Sequence, residues 1–165
     1  MISTVKELKK YLETVENIPK DFKIAVGCLI FTPENKVILL KRGQKARDSW
    51  EKLEGVGGEV EVDENDLIVA VQREIKEEIG EVEVEIEKIL MIKMMPGDNN
   101  SFWVVVDYLG KLKQGIPKIM ELKKIEEICY LNLDEIKEET LSEYQKVTMK
   151  KYKELYGNEV YWIKL

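Results

Sequence analysis

Histidine is missing from the whole chain of 165 residues. That absence removes serine–histidine and cysteine–histidine nucleophilic pairs, and any histidine-bearing zinc site. Cysteine occurs twice, as Cys28 and Cys129. Each stands in an apolar, strand-like run, AVGCLIF and EEICYLNL, so both are expected to be buried thiols. No apolar run approaches the length of a bilayer span. The opening MISTVKELKKYLETVENIPK lacks the apolar stretch of a secretion signal, and a cytoplasmic protein is the simplest expectation. Positive charge is not in excess either: 26 basic residues against 32 acidic ones leave a net charge of −6. Attachment to nucleic acid or to an anionic membrane is therefore not expected. A phosphate-bearing ligand would need a local cation. Chemistry must rest mainly on carboxylates, metal ions, Lys, Arg, Tyr or hydroxyls.

The composition itself is that of a globular protein, 44% hydrophobic and 35% charged, at a length that favours one domain over residues 1–165. Val5, Leu8, Leu12 and Val15 recur at helical spacing, which predicts a helix over 3–16 with Ser3 as N-cap and Pro19 beyond its end. FKIAVGCLIF and VILLKR read as two strands joined by the turn TPENK, a hairpin. Residues 43–55 are polar and turn-like, with an exposed Trp50. GVGGEVEV is a glycine-rich loop running into a short extended segment. Asp63 or Asn65 then caps a helix over 66–79, with Leu67, Ile68, Val71, Ile75 and Ile79 as its apolar face and Gly80 as its stop. EVEVEIEKILMIKMM begins with strict alternation and reads as a strand, PGDNN as a turn and SFWVVVDYLGKL as a further strand. After GIP, EEICYLNL is another strand, residues 134–156 are helical, and EVYWIKL closes as a last strand or a packed tail. Strands with interspersed helices give an α/β or α+β class on a mixed sheet.

The chemistry-bearing stretch runs from Gly57 to Gly80. Glu74, Glu77 and Glu78 stand at i, i+3 and i+4, so their side chains share one helical face. Three carboxylates on one face repel one another unless a cation offsets them, and Mg²⁺ and Mn²⁺ prefer oxygen ligands. Arg73 can reach Glu77 but does not balance the cluster alone. A solvated acidic face would look the same over REIKEE taken by itself. Gly57 and Gly58 tilt the reading, because they permit close approach of backbone to a ligand and offer carbonyls to a metal.

With these residues in place the stretch resembles the Nudix box, G-x(5)-E-x(7)-R-E-U-x-E-E-x-G-U with U aliphatic. Gly58, Glu64 and Arg73-Glu74-Ile75-Lys76-Glu77-Glu78-Ile79-Gly80 supply its fixed residues in order. Two positions depart from it. Eight residues instead of seven separate Glu64 from Arg73, which leaves Glu64 and Asn65 as rivals for the early acidic position, and Glu81 stands at the last aliphatic one. The likeness extends over about residues 22–140. It implies the Nudix fold, a mixed sheet sandwiched between helices with the box as loop–helix–loop. It also implies water-driven substitution at phosphorus, with Mg²⁺ or Mn²⁺ bridging protein and diphosphate. By motif position Glu77 and Glu78 resemble metal ligands, Glu74 a ligand or general base, and the Gly57 carbonyl a further ligand. Arg73 is expected to orient the glutamates, and Gly58 to lie against substrate. Family members recruit another acid from a later loop. Glu121, Glu126 and Glu127 are the candidates and Glu121 the choice, each also readable as plain surface charge.

The moiety beyond the diphosphate is harder to read. Trp50 and Trp103 could stack on a base, with Trp103 more naturally a core residue and Trp50 the choice. Lys41 and Arg42 end a strand and could meet phosphate, Arg42 being the choice. Met91, Met94 and Met95 read as packing. Pro96 lies 16 residues after Gly80, an arrangement that in the family accompanies hydrolysis of ADP-ribose and related compounds; an ordinary hairpin turn explains it equally. The resemblance thus implies a small-molecule, nucleotide-type substrate, with ADP-ribose or a nucleotide sugar favoured. A nucleoside triphosphate pyrophosphatase that cleanses the nucleotide pool, an isoprenoid diphosphate isomerase and a non-catalytic nucleotide sensor stay open, as do monomer and homodimer.

Overall fold

The computed structural model describes residues 1–46 and 49–163. Two residues of the 43–55 segment and the last two of the EVYWIKL tail thus lie outside the described residues. The elements in chain order are α1 (Val5–Leu12), β1 (Lys23–Phe31), β2 (Val37–Arg42), β3 (Leu53–Glu54), β4 (Val56–Glu59), α2 (Leu67–Ile79), β5 (Glu83–Pro96), β6 (Phe102–Gln114), β7 (Ile125–Leu131) and α3 (Glu143–Tyr156). β1 organises the sheet. It runs parallel to β6 along its whole length, from Lys23↔Trp103 to Phe31↔Lys111. Its other edge pairs antiparallel first with β4, Ala25↔Glu59 through Cys28↔Val56, and then with the start of β2 in the expected hairpin. β5 lies antiparallel on β6, while β2 also carries β3 and β7.

Alternate residues of the central strands enter two separate cores. Val26, Cys28 and Ile30 of β1, with Ile38 and Leu40 of β2, pack under α1 and α2 through Leu8, Leu12, Leu67, Val71, Ile75 and Ile79. Leu29, Phe31, Val37 and Leu39 face the other way, onto Met149 and Tyr152 of α3 and onto Val160 and Tyr161 of the tail. Burial on both faces is why these two segments read as nearly unbroken apolar runs. Each fully buried Leu or Ile there contributes about 1.5–3 kcal/mol. The result is a mixed sheet held between helices, as the sequence led us to expect. No helix among the described residues is long and apolar enough to cross a membrane.

Several boundaries differ from the sequence reading. The first helix spans 5–12 instead of 3–16 and starts from Thr4: its hydroxyl accepts from the Glu7 N–H at 3.1 Å, while the Glu7 carboxylate accepts from the Thr4 N–H at 3.0 Å. Asp66, not Asp63 or Asn65, caps α2, its Oδ1 accepting from the N–H groups of Ile68 and Val69 at 2.9 and 3.0 Å. The last helix begins at 143, not 134. Leu141 bridges to Leu53 and the Ser142 N–H donates to the Leu53 carbonyl at 3.1 Å, so residues 133–140 are held at the sheet edge as two short 3₁₀ turns. Among the described residues the tail forms no strand: it packs, with the Tyr161 ring 5.5 Å from that of Phe31. Cys28 is buried as expected, but Cys129 is only half-buried, because β7 pairs at the sheet edge with β2 alone.

Candidate active site

The site grows from the crossing of β4 with α2. In the register Gly27↔Gly57, a Cβ on Gly57 would stand on the Val26 carbonyl and 2.9 Å from the Gly27 Cα. A Cβ on Gly58 would lie within 2.5 Å of both Glu74 carboxylate oxygens. Both glycines are therefore points of close approach, one to backbone and one to an α2 carboxylate. Gly57→Ala is expected to cost about 1–3 kcal/mol of stability, as overpacking does. Gly58→Ala should displace the Glu74 side chain and depress activity at nearly wild-type stability. Urea unfolding and turnover of the two variants check this; equal stabilities would contradict it.

Arg73 gathers the acids. Its Nε and Nη2 hold Glu64 through both carboxylate oxygens, at 2.5 and 3.0 Å, and Nη2 also donates to the Glu59 carbonyl at 3.0 Å. Nη1 donates to Glu74 at 2.8 Å and to Glu77 at 3.2 Å. Of the two rivals for the early acidic position of the motif, Glu64 is the one that Arg73 holds. The guanidinium holds the Glu64 carboxyl below the usual carboxylate range. Glu78 turns the other way and accepts from the Gly57 N–H at 2.8 Å. In an antiparallel ladder a residue's N–H and C=O point to the same side, so the Gly57 carbonyl faces the same groove. Burial, partly offset by that hydrogen bond and reinforced by the negative charges of Glu74 and Glu121, pushes Glu78 up to about 8. Burial likewise raises Glu74, against the pull of Arg73.

Glu121 arrives from the segment before β7. The Met120 N–H donates to the Glu78 carbonyl at 3.1 Å, which pins that segment to the end of α2, and the Glu121 carboxylate meets Lys124 at 2.9 Å. Glu74, Glu77, Glu78 and Glu121 line one groove, together with Arg42 and Lys124. Glu126 and Glu127 are exposed on β7, and Glu126 pairs instead with Lys41 at 3.9 Å. Among the described residues no three acids form a closed metal-binding set, since each groove carboxylate is turned to a protein partner. The donor set, all carboxylate and carbonyl oxygen, is the kind that hard divalent cations take.

Beyond β4 lies a cavity of about 270 Å³, which shares Arg42, Gly57, Gly58 and Glu59 with the groove. Arg42 stands at the junction, paired with Glu54 at 3.0 Å. A buried network crosses the cavity wall. Lys93 Nζ lies 2.9 Å from Asp107 Oδ2 and donates to Thr148 Oγ1 at 2.6 Å and to the Tyr144 carbonyl at 3.1 Å, while Thr148 Oγ1 donates to Asp107 Oδ2 at 2.8 Å. Gln145 also lines this cavity, as does Trp103, whose ring centroid lies 5.3 Å from Lys23 Nζ. Trp103 is only half-buried, so the core reading of that residue does not hold. Trp50 lines neither space: it is 60% exposed and donates to the Ala46 carbonyl at 2.5 Å. Pro96 is exposed at the end of β5 and also lines neither; the same turn contributes Asp98 to the cavity instead. Lys93, Asp107, Gln145 and Thr148 escaped the sequence reading.

The sequence model of the NUDIX domain family matches residues 21–152. The chain belongs to the NUDIX domain family. Members of this family include hydrolases that act on pyrophosphate bonds of small nucleotide-type molecules. No curated protein sequence matches it. Among solved structures, the MutT NUDIX hydrolase of Burkholderia pseudomallei is similar at a TM-score of 0.68 and 24% identity, over 80% of this chain and 98% of that one. The MutT protein of Methanosarcina mazei Go1 gives 0.70 at 21% identity, over 84% and 98%. The NUDIX domain of Shewanella oneidensis NrtR, complexed with ADP ribose, gives 0.65 at 17% identity, over 89% and 97%. At these identities the likeness is one of fold.

Proposed function

We propose that this Nudix chain hydrolyses the pyrophosphate linkage of a nucleoside diphosphate joined to another group, with Mg²⁺ or Mn²⁺ as cofactor. The observation that carries this is the groove itself: Glu74, Glu77, Glu78 and Glu121 meet there, opposite Arg42 and next to a cavity for the rest of the substrate. Glu77 and Glu78 would hold the metal, with Glu74, Glu121 and the Gly57 carbonyl completing the set. Bound metal would lower the pKa of water and neutralise charge on the phosphoryl oxygens. Glu74, raised by burial, is suited to take a proton from the attacking water. Arg73 stays with its carboxylates and positions them. Arg42 reaches the diphosphate where it passes from groove to cavity. Retention of every box acid favours catalysis over a sensor role. ADP-ribose and nucleotide sugars are the first compounds to try, in view of the ADP ribose complex formed on this fold. Two free cysteines suit a reducing compartment, and we assign the protein to the cytoplasm.

The test is a hydrolysis screen over nucleotide sugars, ADP-ribose, dinucleotides and nucleoside triphosphates with Mg²⁺ or Mn²⁺. Release of a nucleoside monophosphate is expected. Triphosphates turning over with the highest kcat/KM would replace this reading by the pool-cleansing one, and no turnover of any compound would remove it.

Burial of Glu78 also sets a pH dependence. Its folded value, about 8, lies above the roughly 4.3 of an unfolded glutamate. The stability it contributes is therefore complete below pH ~4.3 and is lost as pH rises towards the folded value, at up to about 1.4 kcal/mol per pH unit. Glu64, lowered by Arg73, acts oppositely and only below that window. In EDTA the melting temperature is expected to fall between pH 5 and pH 8. Metal at about 100 times its Kd should restore about 2.7 kcal/mol, releasing a proton on binding at pH 7. Melting in EDTA that is flat across this window, and unmoved by metal, would contradict the assignment.

A further inference from the structure

The cavity beside the groove, about 270 Å³, lies near the lower end of the roughly 300–1,000 Å³ that takes drug-sized ligands, and has room for a ring system. Its charged lining also turns phosphate away. Two cations, Lys93 and Arg42, face Asp107, Asp98, Glu54 and Glu59, and Lys93 is consumed by Asp107, Thr148 and the Tyr144 carbonyl. An uncharged group is what fits.

Two polar side chains there, Gln145 and Asp107, each place their described bonds on one of their two terminal atoms. Gln145 is 7% exposed, and its Oε1 accepts from the Gly55 N–H at 2.8 Å. That bond fixes which end of the amide is which. Among the described residues Nε2 is buried and has no hydrogen-bond partner, a state that destabilises a buried donor. Asp107 uses Oδ2 for both Lys93 and Thr148. Its Oδ1 stands beside Gly27, another lining residue, at the point where any side chain on Gly27 would collide with it. The wall therefore offers one donor, Nε2, and one acceptor, Oδ1. Because Nε2 is recessed, the atom that meets it must project beyond the perimeter of a ring. An exocyclic carbonyl oxygen projects in that way; a ring nitrogen flanked by carbons does not.

We propose that this cavity selects a lactam-bearing base, the –NH–C=O edge of a guanine- or uracil-type ring, with Gln145 Nε2 donating to the carbonyl and Asp107 Oδ1 accepting from the N–H. Gln145 is then the residue that separates oxo-bases from their amino counterparts. The inference rests on the proposed nucleotide chemistry and narrows it to guanosine or uridine derivatives, so that nucleotide sugars of those bases come before ADP-ribose in the screen.

Binding of nucleoside monophosphates by calorimetry tests it without turnover. GMP should bind the wild-type chain at least tenfold more tightly than AMP, and UMP more tightly than CMP. Gln145→Leu should weaken GMP by about tenfold and leave AMP within about twofold. Equal weakening of both by Gln145→Leu would mean a merely structural side chain and would overturn the proposal, as would AMP binding as tightly as GMP. Should Gln145→Leu fail to fold, the 2-aminopurine nucleotide, which lacks both the carbonyl and the ring N–H, removes the whole lactam edge from the ligand side. Its binding to the wild-type chain as tightly as GMP would overturn the proposal, and a tenfold loss would support it. Base discrimination without hydrolysis of any diphosphate would support this reading while removing the hydrolase one. Hydrolysis without base discrimination would do the reverse.

Discussion

Glu77→Gln is expected to lower turnover by about 10²–10³-fold, the scale on which loss of a single electrostatic contact to the transition state is felt. Glu77 is the safest of the groove acids to change. Its side chain is 46% exposed, and it shares Arg73 Nη1 with Glu74 at the longer distance of 3.2 Å. The amide keeps its size and can still accept from Arg73, so melting in EDTA should match wild type. What disappears is one negative charge, so the stabilisation conferred by Mg²⁺ or Mn²⁺ should shrink in parallel with kcat. Turnover, EDTA melting and metal-dependent melting measured on one preparation separate these effects. Near-normal turnover in Glu77→Gln would show that the groove is not where the chemistry happens.

The second large effect concerns stability. Lys93→Met is expected to destabilise the chain by about 3–5 kcal/mol, because it leaves Asp107 charged, buried and deprived of its cation. The two side chains are 6% and 7% exposed and tie β5 to β6 directly and, through Thr148, to α3. The double variant Lys93→Met/Asp107→Asn removes both charges and should recover most of the loss. Urea unfolding of the single and double variants gives the coupling. A double variant no more stable than Lys93→Met would mean that the pair is not energetically linked.

Legibility in the sequence followed distance along the chain. The box helix, its apolar face and Gly80 are local facts, written in 24 consecutive residues from Gly57 to Gly80. The same holds for the hairpin of β1 and β2. Where a remote partner decides, the reading slipped. Nothing local to 134–142 says that Leu141 will bridge to Leu53, and without that bridge the segment is a good helix. The pairing of β1 with β6 joins residues about eighty positions apart and leaves no periodic trace. Lys93 and Asp107 did leave one: a lysine inside MIKMM and an aspartate inside VVVDYL interrupt apolar strands with opposite charges. Such a pair of interruptions is a signal for a buried ion pair. Trp103 misled because its neighbours Val104 and Val105 are buried while its own side lies open to the cavity. Residue type and spacing point to Trp50 and Pro96 but carry no information about which way a side chain faces.

β4 is only four residues long, yet one side of it receives the box acids and the other closes the cavity. The walls that read the base come from β5, β6 and the start of α3, and none of them lies within the box. A lineage could exchange Gln145 or Trp103 and acquire a new base preference without disturbing a single carboxylate of the hydrolytic apparatus. The strand is a bulkhead between residues that the chemistry constrains and residues that can change with the substrate, and a fold divided in this way is well suited to serve many substrates with one reaction.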